Sequence, residues 1–218
     1  MRRCSNSIGG VYLVLDPGMD KATLLHRLKE ALEGGVKMLQ VWNNWPASFN
    51  LSAKQDLIQA IVHAASAYQI PLLINEEWEL LKGSGLAGVH FDKIPEDYEA
   101  IKAEIEREFI CGITCSNGLE VIHWAEQNQL DYISFCSMYP SGSVDSCDIV
   151  SPGTVKKARE ITQIPFFLSG GITADNLIEL KELDFAGVAV ISGILNAESP
   201  RESTFAYKNA LTNLNSKK

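Results

Sequence analysis

Eight short apolar runs, each followed by a stretch with helical spacing, constrain this chain more than any other feature. They are GVYLVL (10–15), KMLQVW (37–42), IPLLIN (70–75), LAGVHF (86–91), FICGIT (109–114), DYISFC (131–136), IPFFLSGG (164–171) and FAGVAVIS (185–192). Most are apolar at nearly every position rather than at every second one, which marks strands buried on both faces of a parallel sheet. The segments between them carry helix punctuation. Asp20 stands as an N-cap and Gly34-Gly35 as a stop for a helix with Leu25, Leu28 and Leu32 on one face. Ser151-Pro152 supplies a cap and a proline suited to the first helical position. Further helices are predicted over 51–68, 77–83, 95–106, 117–127, 174–183 and 200–214.

Eight βα units in 218 residues fit a (β/α)8 TIM barrel, predicted as a single domain over 1–218. A doubly wound open sheet is the rival, but it uses fewer strands for this length. In a barrel the chemistry sits on the loops after the strands. That rule selects Asp16, Gln40 to Asn44, Asn75 to Glu77, His90 to Lys93, Thr114 to Ser116, Ser137 to Val150, Ser169 to Thr173 and Ile191 to Gly193.

Charge and cysteine usage narrow the partners. A formal charge of −8 argues against nucleic acid, which needs a basic surface to release counterions. Five cysteines without a C-x-x-C pair argue against a disulfide framework or structural zinc, and fit a reducing compartment. The start MRRCSNSIGG lacks the apolar stretch of a signal peptide. No apolar run approaches the roughly 20 residues that span a membrane. A cytoplasmic protein without membrane or nucleic-acid partners is expected.

The strongest local signal lies in FLSGGIT and VAVISGIL. Gly170 and Gly171 clear side chains from a place where backbone amides can meet an anion, and both segments are expected to open helices, whose N-termini favour phosphate. Ser192 adds a hydroxyl. The competing reading is that the glycines only permit tight turns. Trp42 and Trp45, in MLQVWNNWP, offer flat walls for a heteroaromatic ring, or else cap the mouth or pack on a neighbouring subunit in a homodimer. Glu76 and Asp92 end adjacent predicted strands and are the candidate metal ligands. His90 reads as a hydrogen-bonded structural histidine before a catalyst. Cys115 and Cys136 read as small buried hydrophobes before reactive thiols.

YLVLDP, GGVKMLQV, PLLIN, GVHF, GIT, MYPSGS, LSGGITADN and GVAVISGIL occur in the order and spacing of thiamine-phosphate synthases. The chain resembles that family, and its TenI-type thiazole tautomerase relatives, along nearly its whole length. The resemblance implies a barrel that joins a pyrimidine diphosphate to a thiazole phosphate, giving thiamine phosphate and pyrophosphate, with Mg2+ as cofactor. Pyrophosphate leaves, and the thiazole nitrogen attacks the resulting cation; positive charge must stabilise the departing group. The resemblance assigns Gln40, Asn75 and Thr114 to the catalytic centre. It assigns Ser141, Ser143, Gly170, Gly171, Ile191 and Ser192 to binding a phosphorylated thiazole or thiamine intermediate, and Trp42, by its flat ring, joins them as a substrate-binding candidate.

The chain departs from the family pattern at defined points. Gln-x-Arg-x-Lys after the second strand reads Gln40-Val41-Trp42-Asn43-Asn44, and the lysine after the sixth reads Val144. An Asn-Asp pair reads Asn75-Glu76, and the tautomerase histidine reads Ser116. Three basic groups aimed at pyrophosphate are absent. A non-catalytic binder or sensor of a thiazole or thiamine phosphate is therefore the alternative to a synthase, and a divergent barrel enzyme the third reading.

Overall fold

The computed structural model describes residues 8–140 and 148–216. Its strands are β1 (Gly10–Leu15), β2 (Met38–Val41), β3 (Leu72–Asn75), β4 (Gly88–Phe91), β5 (Ile110–Cys115), β6 (Tyr132–Cys136), β7 (Phe166–Ser169) and β8 (Gly187–Val190). They pair in parallel, each with its sequence neighbours, and β8 closes on β1 with Gly10 opposite Gly187. The predicted eight-stranded barrel is the observed fold, and the open sheet is excluded.

Among the described residues seven α-helices clothe it: α1 (Lys21–Gly34), α2 (Leu51–Ala65), α3 (Tyr98–Ile105), α4 (Glu120–Gln127), α5 (Pro152–Ile161), α6 (Ser192–Leu195) and α7 (Pro200–Asn215). The predicted caps operate as such. The Asp20 carboxylate accepts from Thr23 N, Gly35 ends α1 in the left-handed region, and the Ser151 hydroxyl accepts from Thr154 N. On α1 the fully buried leucine is Leu24, with Leu28, Ala31 and Leu32, and Leu25 is only half-buried.

Two predicted helices are 3-10 turns instead, Trp78–Leu81 after β3 and Asn176–Leu180 after β7. The first lies between Glu76 and Gly83, both at positive φ, so too few residues remain for an α-helical nucleus. In the second, Asn176 and Thr173 exchange side-chain bonds with each other's backbone amides, which competes with helical pairing. Helix α4 begins at Glu120 because Asn117 is used elsewhere. Its side chain bonds Ile149 O and Ser151 N, tying the loop after β5 to the cap of α5. Helix α3 begins at Tyr98 under an Asp97 cap.

Period-two alternation divides each strand between two environments. Val11, Leu13, Leu39, Val41, Ile74, Val89, Ile113, Ile133, Leu168 and Val188 pack outward under the helices. Tyr12, Val14, Met38, Leu73, Tyr132, Phe167 and Ala189 form a separate cluster within the barrel. The Tyr12, Tyr132 and Phe167 rings meet edge to face at 5.2 to 5.8 Å between centroids. Such pairs add roughly 0.5–1.5 kcal/mol each beyond area burial.

Room for the Tyr132 ring comes from Gly112 on the neighbouring strand. A Cβ there would lie 2.0 Å from Tyr132 Cζ. Gly112→Ala is therefore expected to lower stability by about 3 kcal/mol, because a rigid ring in a filled interior has nowhere to go. Urea unfolding of the variant beside the parent chain checks this.

Candidate active site

The inward set that begins as apolar rings ends, towards the C-terminal strand ends, as a polar layer. It comprises Gln40 on β2, Asn75 on β3, His90 on β4, Thr114 on β5 and Ser134 on β6. Gln40, Asn75, His90 and Ser134 are buried, and Thr114 is half-buried. Polar side chains enclosed in this way persist only when they are bonded: His90 bonds Thr114 within the layer, Gln40 bonds Tyr12, and Asn75 bonds Asp92.

The Tyr12 hydroxyl donates to Gln40 Oε1 and lies 2.9 Å from the Tyr132 hydroxyl. The Tyr132 hydroxyl lies 2.9 Å from His90 Nδ1, and His90 Nε2 lies 2.8 Å from Thr114 Oγ1. Five side chains from five strands thus form one continuous chain of hydrogen bonds. Burial raises both tyrosines well above the ordinary phenol value, so both keep their protons. Burial also pushes the His90 imidazole down to about 3, so it is neutral at physiological pH.

A second group stands at the rim over β3 and β4. Asn75 Nδ2 donates to Asp92 Oδ1 at 3.0 Å and to His90 O at 3.2 Å, which leaves Asn75 Oδ1 to accept from Asn43 N at 3.4 Å. Two acceptors on one side of the amide settle its orientation. Glu76 reaches across to accept from Asp92 N. Desolvation raises the Glu76 carboxyl, and the Asp92 charge adds to the rise. Asp92 is exposed at the rim, but the surrounding protein raises it too, opposed by the Asn75 bond.

The glycine loops lie over β7 and β8. Gly170 and Gly171 have φ of +82° and +62°, in the region that favours glycine. A Cβ on Gly170 would fall 1.7 Å from Ser137 Oγ, and one on Gly171 would fall 2.5 Å from Pro140 O. The turn geometry alone therefore demands both glycines. The expected helices behind these loops are a 3-10 turn and the four-residue α6, so little macrodipole stands there. Ile191 packs half-buried on the inner cluster, and Ser192 opens α6 at the surface. Ser141, Ser143 and Val144 lie outside the described residues.

This layout can be set beside known proteins. Residues 11–194 match the family model described as thiamine monophosphate synthase. The chain belongs to that family. A thiamine-phosphate synthase of Geobacillus thermodenitrificans is 31% identical over 208 residues, covering 94% of this chain and 93% of that one. One from Nitrosococcus oceani is 28% identical over 205 residues, covering 94% and 93%. A thiamine phosphate pyrophosphorylase structure from Pyrococcus furiosus superposes with a TM-score of 0.79 at 21% identity, covering 94% of this chain and 96% of that one. The last match speaks to fold alone.

The loop after β2 places Trp42, Asn44 and Trp45 in three different settings. Trp42 continues the inward parity and packs on the inner cluster, with its amide bonded to Leu15 O at 2.9 Å. Asn44 donates to Asp16 Oδ1 at 2.9 Å, and Gly18 N shares that oxygen at 2.8 Å. Trp45 belongs to the other side, on the outer core beside Phe49 with the Lys54 ammonium 5.1 Å from its ring centroid. Both tryptophans are half-buried, and they serve different faces.

His90 takes the hydrogen-bonded position expected of it, while the remaining histidines lie on helices: His26 on α1, His63 on α2 and His123 on α4. Cys115 is buried among the outward residues, and desolvation pushes its thiol up to about 12, which fits a small packed hydrophobe. Cys136 is half-buried at the end of β6. Tyr12 and Tyr132 are the residues that sequence reasoning missed. Their signal was a phenol inside an otherwise apolar strand, in phase with inward-facing neighbours.

The His90 position predicts a pH dependence of stability. Its folded pKa lies below the ordinary value, so its contribution is full above about pH 6.5. It falls as the unfolded chain takes up a proton, down to about pH 3. Between pH 6.5 and 5 the loss is about 2 kcal/mol. Glu76 and Asp92, being raised, run the opposite way, but they are present in both proteins when His90→Gln is compared with the parent. Denaturant unfolding at the two pH values should show that loss in the parent and little of it in the variant.

Proposed function

We propose that this protein is a thiamine-phosphate synthase, joining a pyrimidine diphosphate to a thiazole phosphate with release of pyrophosphate. The observation that carries the reading is membership of the thiamine monophosphate synthase family across residues 11–194. The polar layer of Gln40, Asn75 and Thr114 lies in the part of the barrel where such chemistry belongs. In this reading the bond from the pyrimidine methylene to the diphosphate oxygen breaks, and the thiazole nitrogen supplies the electron pair of the new bond. Gln40, Asn75 and Thr114 orient the pyrimidine half. Gly170, Gly171, Ile191 and Ser192, with Ser141 and Ser143, receive the thiazole phosphate.

Glu76 and Asp92 suit Mg2+. They are hard oxygen donors at the ends of neighbouring strands, and burial with mutual repulsion raises Glu76 in a way that a cation would reverse. Among the described residues there is no cluster of three or more acidic, histidine or cysteine ligands. The remaining positions would fall to water and phosphate oxygens, as Mg2+ prefers. When bound, the ion neutralises charge on the departing diphosphate. Trp42 supplies a flat apolar wall for a substrate ring. A cytosolic location and assembly as a homodimer complete the reading. None of the described helices is long and apolar enough to cross a membrane.

The purified chain, given both substrates and Mg2+, is expected to form thiamine phosphate. Tight binding of the thiazole phosphate without product would overturn the reading in favour of a non-catalytic binder. Trp42→Arg with Asn44→Lys is expected to lower KM for the diphosphate at least about tenfold, since one charge-assisted hydrogen bond is worth roughly 1.5–3 kcal/mol. Glu76→Gln is expected to raise the Mg2+ concentration needed for half-maximal rate. An unchanged requirement would remove Glu76 from the metal assignment.

A further inference from the structure

The hydrogen-bond chain through the lumen has a direction, and its protons can be counted. Gln40 Oε1 can only accept, so the one hydroxyl proton of Tyr12 lies on that bond. The contact between the two phenols, at 2.9 Å, must then be made by the Tyr132 proton. Tyr132 has no second proton for His90, so its oxygen accepts from His90 Nδ1–H. A neutral imidazole carries one N–H, which leaves Nε2 as an acceptor for the Thr114 hydroxyl. Every proton from Thr114 to Gln40 is placed by one starting condition, the face that the Gln40 amide turns to Tyr12.

We infer that His90 is a positioning residue, held as its Nδ1–H tautomer within a one-way chain running from Thr114 through His90, Tyr132 and Tyr12 to Gln40. The two ends then have fixed and opposite character. Thr114, having given its proton inward, keeps only lone pairs for the mouth. Gln40, having given its oxygen inward, keeps only N–H donors. Neither end can reverse alone, because reversal requires all four bonds to change direction together. A flipped amide with the rest unchanged would set two protons against each other between fully enclosed side chains. An enclosed polar group left unsatisfied costs about 1–3 kcal/mol, so the mixed arrangements are scarcely populated. Uncoupled side chains would lack this property, which makes the coupling measurable away from any assay.

The test is nitrogen NMR of the full chain labelled in the histidine ring. His90 is expected to show a protonated Nδ1 and a lone-pair Nε2. A protonated Nε2 or an imidazolium would overturn the assignment. Tyr12→Phe then removes one hydroxyl and no atom in contact with His90. The Tyr132 proton loses its acceptor and turns to Nδ1, so the His90 signature is expected to move towards the Nε2–H form. An unmoved signature in a folded variant would overturn the coupling, because a merely structural role predicts no change there. The kinetic arm rests on the synthase reading: Tyr12→Phe is expected to lower kcat/KM about tenfold and to have no further effect in a Gln40→Ala background. Equal losses in both backgrounds would overturn the link to Gln40. If the parent chain forms no thiamine phosphate, the synthase reading fails while the NMR arm still decides the inference.

Discussion

Closure of eight parallel strands divides this molecule into an inside and an outside, and the remaining features follow from that division. Once β8 pairs with β1 there is no sheet edge, and each strand residue faces either the helices or the lumen. The outward half is nearly uniform in chemistry because it meets only apolar helix faces. The inward half is graded along the axis, from packed aromatic rings to bonded polar groups and then to the carboxylates of the rim. A site built in this way needs no long excursions of the chain. It needs only that every second residue near the strand ends be polar, in strands whose other residues are committed to the core.

Much of this was legible in the residues. Short, nearly unbroken apolar runs announced the strands, and Asp20, Gly35 and Ser151 announced helix ends, because those signals act over a few positions. The two 3-10 turns were misread because local side-chain bonds at Asn176 and the positive φ of Glu76 overrode the expected helical continuation. Gln40, Asn75 and Thr114 could be placed at strand ends, and resemblance gave them roles. Their partners could not be placed. Tyr12 and Tyr132 stand 120 positions apart, and nothing in a linear text says that two phenols will meet across a lumen. That requires the register of the closed sheet, which no local pattern carries.

The loop after β2 is held in place by packing and by hydrogen bonds. Asn44 spends its amide on Asp16, drawing the first two loops together, and Trp42 joins the inner cluster. Both side chains are integrated into packing and hydrogen bonding, so the loop has a defined structure of its own. The rim carries Asp16, Glu76 and Asp92, with the Lys93 charge acting on Glu76.

The missing side chain at Gly112 has a consequence beyond packing. Tyr132 occupies the volume that any other residue at 112 would claim, and Tyr132 is also the middle link between the histidine and the first tyrosine. Drift at these two positions is therefore tied. A larger residue at 112 is accommodated only by a smaller one at 132, and that exchange cuts the hydrogen-bond chain at its centre. Variation inside the barrel is thereby restrained by what the polar layer requires, through a position that has no side chain of its own.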